Sequence, residues 1–208
     1  MDPAVTVVIP CFNQGHFLQE CVASLHAQTR SDWCAIVLDD ASTAGVTPAL
    51  CDAVAGPKVQ VVHLPVNHGM DVVRNAGIAL AKTEAIQNLD ADDALLPDTL
   101  ERTVPLLLGD PRVGVVYFDC DRFGVRTGRM RGERFDEARL YRIQIIFGGS
   151  LYRRSAWAAT RGYCADFRIG NGDYDFWLSL VEAGYRGVYV PEPFYRYRCH
   201  AASWTGLQ

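Results

Sequence analysis

Val5-Thr6-Val7-Val8-Ile9-Pro10-Cys11-Phe12-Asn13 begins as an apolar, β-branched run and ends in Pro, an aromatic and Asn. The next stretch, 17–27, places Phe17, Cys21, Val22 and Leu25, with His26 or Ala27, at helical spacing. A short apolar run closed by turn residues predicts a buried strand, and a period near 3.6 predicts an amphipathic helix packed on it. The same unit recurs: 35–38 before 47–55, 59–64 before 71–81, and 84–89 before 97–108. Strand–helix alternation predicts an α/β domain of Rossmann-like form, a mostly parallel central sheet with helices on both faces.

Downstream the pattern loosens. Residues 113–118 read as a strand, and the Arg- and Gly-rich stretch from Arg122 to Arg134 reads as a solvated loop. Apolar patterning resumes at 143–147 and 151–159. A last helix is expected over 173–183, with Phe176, Leu178, Leu180 and Val181 as its apolar content and Gly184 as its stop, followed by a strand at 188–190. No internal repeat, low-complexity tract or linker interrupts residues 1–208, so one domain is expected.

The 208 residues are 49% hydrophobic and 21% charged, and 20 Lys+Arg against 24 Asp+Glu leave a net charge of −4. That balance argues against nucleic acid as a partner. Seven cysteines, odd in number and without a C-x-x-C pair, read as thiols in a reducing cytoplasm rather than as a zinc site or disulfide frame. No basic, then long apolar N-terminal segment and no apolar stretch near ~18 residues is present, so neither secretion nor a transmembrane segment is expected. Any membrane association would run through a partner.

In open α/β sheets ligands bind beyond the carboxyl ends of the strands. Three strands end in polar residues there: Pro10-Cys11-Phe12-Asn13, Asp39-Asp40-Ala41-Ser42-Thr43, and Asp90-Ala91-Asp92-Asp93. Three carboxylates within four residues repel, and a hard divalent cation, Mn²⁺ or Mg²⁺, is the usual compensation. The alternative is an acidic turn capping the next helix. Neither G-x-G-x-x-G nor G-x-x-x-x-G-K-[ST] is present, which disfavours hydride transfer and ATP hydrolysis.

Four pieces in this order resemble the family-2 glycosyltransferases of GT-A fold, over nearly the whole chain: 7–13, Leu38-Asp39-Asp40-Ala41-Ser42-Thr43, Asn67-His68-Gly69 with Arg74-Asn75-Ala76-Gly77-Ile78, and Leu89-Asp90-Ala91-Asp92-Asp93. Gly172-Asp173-Tyr174-Asp175 resembles the family's segment carrying the catalytic base, and Arg196-Tyr197-Arg198-Cys199-His200 with Ser203 its closing segment. The resemblance implies an inverting, metal-assisted transfer of a sugar from a nucleotide-diphosphate sugar, UDP- or dTDP-type, to a hydroxyl of a glycan, lipid-linked or small-molecule acceptor. Residues 1–110 would form the nucleotide-sugar-binding half and 111–208 the acceptor-side half.

The implied roles are specific. Asp40, with Asp39 beside it, accepts from the base N–H, Pro10 and Phe12 border the base, and Asn13 belongs to the donor-binding set. Arg74 approaches the nucleotide. Asp90 and Asp92 form a D-x-D element, with Asp92, Asp93 and His200 as metal ligands. Arg198 and His200 fold over the diphosphate, Gly149 and Ser150 pass the acceptor, and Asp173 is the general base with Asp175 as its fallback. Local readings compete: an Asx turn at Asp40, core packing for Pro10 and Phe12, a solvent-facing Arg74, a helix cap at Asp173, a surface His200. Four residues depart from the family pattern: Gly172 where Glu usually precedes the base, Ala41 in place of Gly, and the polar pair Gln87-Asn88 in a strand that is normally apolar. A sugar-1-phosphate nucleotidyltransferase lacks its Gly-rich loop here, whereas a degenerate binding domain without turnover is compatible with Gly172.

Overall fold

The computed structural model describes residues 2–165 and 171–200. Its first half follows the alternation: β1 (Val5–Cys11), α1 (Gly15–His26), β2 (Trp33–Asp39), α2 (Thr47–Ala53), β3 (Val59–His63), α3 (Met70–Leu80), β4 (Ala85–Asn88), β5 (Ala94–Leu95) and α4 (Thr99–Leu108). The second half runs β6 (Val113–Gly124), β7 (Gly128–Met130), α5 (Glu137–Leu140), β8 (Leu151–Arg153), α6 (Arg154–Ala158), α7 (Gly172–Glu182) and β9 (Arg186–Cys199).

The sheet order is β3-β2-β1-β4-β8-β6-β9-β5, with β7 paired to β6. β1 pairs in parallel with β2 on one side and β4 on the other. The chain winds outward from β1 through β2 and β3, then returns to β4, so the strand order reverses between β1 and β4. A crevice opens at such a point, beyond the carboxyl ends of both strands. The three polar strand ends therefore meet on one edge. β8 runs antiparallel to β4 and β6, while β6 and β9 are parallel over a long, bulged ladder.

All seven residues of β1 are buried, as expected of a strand covered on both faces. Val7 and Ile9 pack with Leu18, Leu25, Leu100 and Leu107 on the face covered by α1, α2 and α4. Val8 and Ile86 pack with Val73, Ile78, Phe176 and Leu180 on the face of α3, α6 and α7. Gly77 sets how closely α3 approaches the sheet: a Cβ there would lie 2.5 Å from Val8 Cγ1 and 2.9 Å from Leu38 Cδ1. Gly77→Val is expected to lower stability by roughly 1–3 kcal/mol through overpacking, read as a lower urea midpoint at unchanged m.

Three expectations are corrected. The stretch 122–134 is in large part a β-hairpin, because β6 continues to Gly124 and turns into β7; its arginines are exposed on two-sided polar strands, which hides the strand period. Residues 143–147 form no regular element. The strand expected at 188–190 is present but longer, lying near the start of the 14-residue β9. No described helix is long and apolar enough to cross a membrane.

Candidate active site

The turn 90–93 leaves β4 at the crevice. Asp93 N donates to Asp90 O at 3.0 Å, and Asp90 N donates to Tyr195 Oη at 3.1 Å. β9 clamps the turn further: Arg198 Nε donates to Asp92 O and Arg198 N to Asp93 Oδ1, each at 2.7 Å. The helix after the turn starts only at Thr99, with Asp98 at its N-cap position, so none of the three acids caps it. Asp92 Oδ2 lies 2.9 Å from His200 Nε2. Burial, then the Asp90 charge, raises the Asp92 carboxyl, and the His200 contact works against them.

Asp93 does not join this pair. It is 1% exposed, its carboxylate holds Arg198 N, and burial followed by the Asp90 and Asp92 charges pushes its carboxyl well up. Among the described residues no group of three or more His, Cys, Asp and Glu could hold a metal. The expected trio thus reduces to Asp92 and His200. Arg198 lies between the Phe17 and Phe123 rings, 4.7 and 4.3 Å from their centroids, and reaches Glu20. Its contacts to Asp92 O and Asp93 Oδ1 brace the turn. Ser203 falls outside the described residues.

Beside the turn opens a cavity of about 1110 Å³, just above the usual range for small-molecule sites. Asp71, Arg74, Asp90, Gly148, Gly149 and Asp173 all line it. Arg74 is buried, its NH2 2.8 Å from Asp90 Oδ1 and its NH1 3.8 Å from Asp71 Oδ1, which excludes a solvent-facing Arg74. Asn75 binds Trp157 Nε1, Tyr163 N and Tyr163 O and so ties α3 to the segment after α6.

Asp173 sits in the first turn of α7, where Asn171 holds the N-cap position, so Asp173 is not the cap. Its Oδ2 accepts from Gln144 Nε2 at 2.6 Å and would lie 2.7 Å from a Cβ at Gly148. A residue without a side chain at 148 is what lets this carboxylate reach the cavity. Asp175 points elsewhere: it pairs with Arg161 at 2.7 Å and does not line the cavity. Ser150 is fully buried and donates to Phe147 O at 2.5 Å, so Gly148 and Gly149 face the cavity instead. Gln87 and Asn88 are buried too, and they explain their own presence: Gln87 Nε2 donates to Gly149 O at 2.7 Å, and Asn88 binds Tyr163 Oη and Tyr152 Oη. The polar strand holds the glycine loop in place.

At the other end of the crevice Asn13, at φ 58°, takes Thr43 N and Ala44 N on its Oδ1. Asp40 accepts from His68 N at 2.8 Å and Gly69 N at 2.9 Å, fastening the loop at the head of α3. Pro10 is buried within β1, whereas Phe12 is 43% exposed. Asp39 binds Ser42 N and His63 Nδ1. Burial works to raise its carboxyl, but the Ser42 and His63 bonds prevail and hold it below the usual value.

His63 is raised by its hydrogen bonds to Asp39 and then Asp52. Its favourable pairing is complete below the unfolded histidine value of about 6.5 and fades as pH rises through the higher folded value. Stability relative to His63→Gln is expected to decline as pH climbs above about 6.5, by less than about 1 kcal/mol because the pair is partly solvated. Urea titrations of both proteins at stepped pH check this.

Residues 6–173 match the family model described as Glycosyl transferase family 2. The chain belongs to that family. This family member is 30% identical over 189 residues to a chondroitin synthase of Pasteurella multocida (strain Pm70), covering 88% of this chain and 19% of that protein. It is 27% identical over 203 residues to the putative glycosyltransferase EpsE of Bacillus subtilis (strain 168), covering 94% and 73%. Its fold matches S. aureus TarS 1-349 in complex with UDP-GlcNAc at TM-score 0.80 and 16% identity, over 100% of this chain and 61% of that one. It also matches the mannosyltransferase PcManGT of Pyrobaculum calidifontis, in complex with GDP-Man and Mn²⁺, at 0.77 and 21%, over 100% and 60%. The chain thus spans a fifth of the synthase and about three fifths of each solved relative, and the structural neighbours establish its α/β GT-A fold.

The donor set at the acidic turn fits a divalent cation in part. Mn²⁺ and Mg²⁺ commonly take one or two protein carboxylates and complete their shell with water and substrate phosphates, and Asp92 with His200 supplies two donors at the acidic turn, beside Asp90, which lines the cavity. Tyr195, Gln144 and Asp71 were not legible as site residues. Only Asp71 had a signal, its i,i+3 spacing from Arg74.

Proposed function

We propose that this chain transfers a sugar from a nucleoside diphosphate sugar, of UDP or dTDP type, to an acceptor hydroxyl with inversion at the anomeric carbon. The observation that carries the reading is Asp173, a carboxylate in the same cavity as the Arg74–Asp90 pair that borders the acidic turn. In this reading residues 1–110 hold the donor and 111–208 face the acceptor. Asp173 takes the acceptor proton while the acceptor oxygen attacks the anomeric carbon from the face opposite the nucleotide. The bond to the diphosphate breaks, and its electron pair leaves with the diphosphate. Gln144 fixes the orientation of the base.

On the donor side, the exposed Phe12 ring offers a face for the base, and Asp40, a bidentate acceptor with lone pairs beyond its two backbone bonds, takes the ring N–H. Asp92 and His200 would hold Mn²⁺ or Mg²⁺. Bound there, the cation offsets charge collecting on the departing diphosphate. Relatives named chondroitin synthase and hyaluronan synthase, and a succinoglycan biosynthesis protein, favour a growing polysaccharide as acceptor. A nucleotide-sugar-binding domain without turnover is the second reading, and Gly172 before the base is what favours it.

A thermal-shift screen of UDP, GDP, dTDP and CMP, each with and without Mn²⁺, tests the donor assignment. Ligand at a hundred times its Kd stabilises by about 2.7 kcal/mol. A Mn²⁺-dependent shift with UDP or dTDP is expected; no shift with any nucleotide would overturn the proposal.

A further inference from the structure

Besides Asp90 and Asp173, the cavity holds a carboxylate for which the reaction above has no use. Asp71, in the first turn of α3, lines it together with Asp173. A Cβ at Gly172 would come within 2.1 Å of Asp71 Oδ2 and 2.5 Å of its Cγ. The Asp71 carboxyl therefore fills the volume that any side chain at position 172 would enter. It is 15% exposed and sits beside Arg74, itself 6% exposed with an Nε that has no partner among the described residues. Burial raises the Asp71 carboxyl; Arg74 opposes this, and the Asp173, Asp175 and Asp90 charges add to it. Three acids, of which Asp90 is already paired with Arg74, and an incompletely bonded guanidinium facing one cavity leave room for a ligand that donates and accepts hydrogen bonds, as a sugar hydroxyl does.

We propose that Asp71 is an acceptor-binding carboxylate, supplying from α3 the group that position 172 lacks. It accepts a hydrogen bond from the hydroxyl adjacent to the attacking one and so aligns the acceptor with Asp173. The inference rests on the transferase reading and sharpens it: the acceptor is a sugar with two neighbouring free hydroxyls.

The test compares wild type, Asp71→Asn, Asp71→Ala, Gly172→Asp and the double variant Asp71→Ala/Gly172→Asp. For each, nucleoside diphosphate release from UDP- and dTDP-sugars is measured in water alone and with a panel of methyl glycosides. Asp71→Asn is expected to raise the glycoside KM about tenfold to a hundredfold, the range for one charge-assisted hydrogen bond, with release into water and the UDP thermal shift unchanged. Gly172→Asp is expected to lower the unfolding midpoint where Asp71 is present and not where it is Ala, and the double variant regains glycoside-stimulated release. Unchanged glycoside KM in Asp71→Asn overturns the inference, as does a parallel fall of water release, UDP binding and stimulated release. No stimulation of wild type by any glycoside overturns the sugar-acceptor claim. A wild type that releases nothing from any donor overturns the transferase reading, and this inference with it.

Discussion

Asp173→Asn is expected to lower kcat for sugar transfer by roughly 10²–10⁴-fold, the range a positioned general base contributes, with nucleotide affinity unchanged. Asn keeps the shape of the side chain and a contact to Gln144 but has no basic oxygen to take the acceptor proton. The neighbouring Asp175 offers no substitute, because it is bound to Arg161 and lies off the cavity. Asp175→Asn should therefore leave kcat within a few-fold. Steady-state kinetics of both variants decide the assignment: a large loss in Asp175→Asn with none in Asp173→Asn would transfer the role.

The second large effect is expected at the acidic turn. Asp92→Ala removes the carboxylate that faces His200 and is expected to abolish the Mn²⁺-dependent share of nucleotide stabilisation, whose total is about 2.7 kcal/mol at a hundredfold excess over Kd. The metal-independent part, which the base-side residues supply, should persist. Asp93→Asn serves as the control: its carboxyl is buried against β9, so its replacement should lower stability more than it alters metal dependence. Metal dependence that survives in Asp92→Ala would remove the assignment.

The first half of the fold was open to reading because β1, β2 and β4 are buried on both faces and each helix carries one apolar stripe, so both periods appear there. The cluster Asp90, Asp92 and Asp93 was equally visible. Which acid faces the crevice was not, since that depends on Tyr195 and Arg198 of β9, more than a hundred residues away. The β6–β9 ladder is non-local and bulged, and sequence patterning carries no record of such pairing. Gln87 and Asn88 looked like a flaw in a strand; the structure shows them bonded to the loop that Gly148 and Gly149 bring to the cavity. Gly172 looked like a loss. Only the position of Asp71 shows that the space beside it is already filled by a carboxylate.

The most direct test of the transferase assignment is release of nucleoside diphosphate from a panel of UDP-, dTDP- and GDP-sugars in the presence of Mn²⁺, with Asp173→Asn run alongside. Release by the wild type from a UDP- or dTDP-sugar, reduced at least a hundredfold in the variant, is the predicted result. Nucleotide binding by thermal shift with no release from any donor would contradict it and leave a binding domain without turnover.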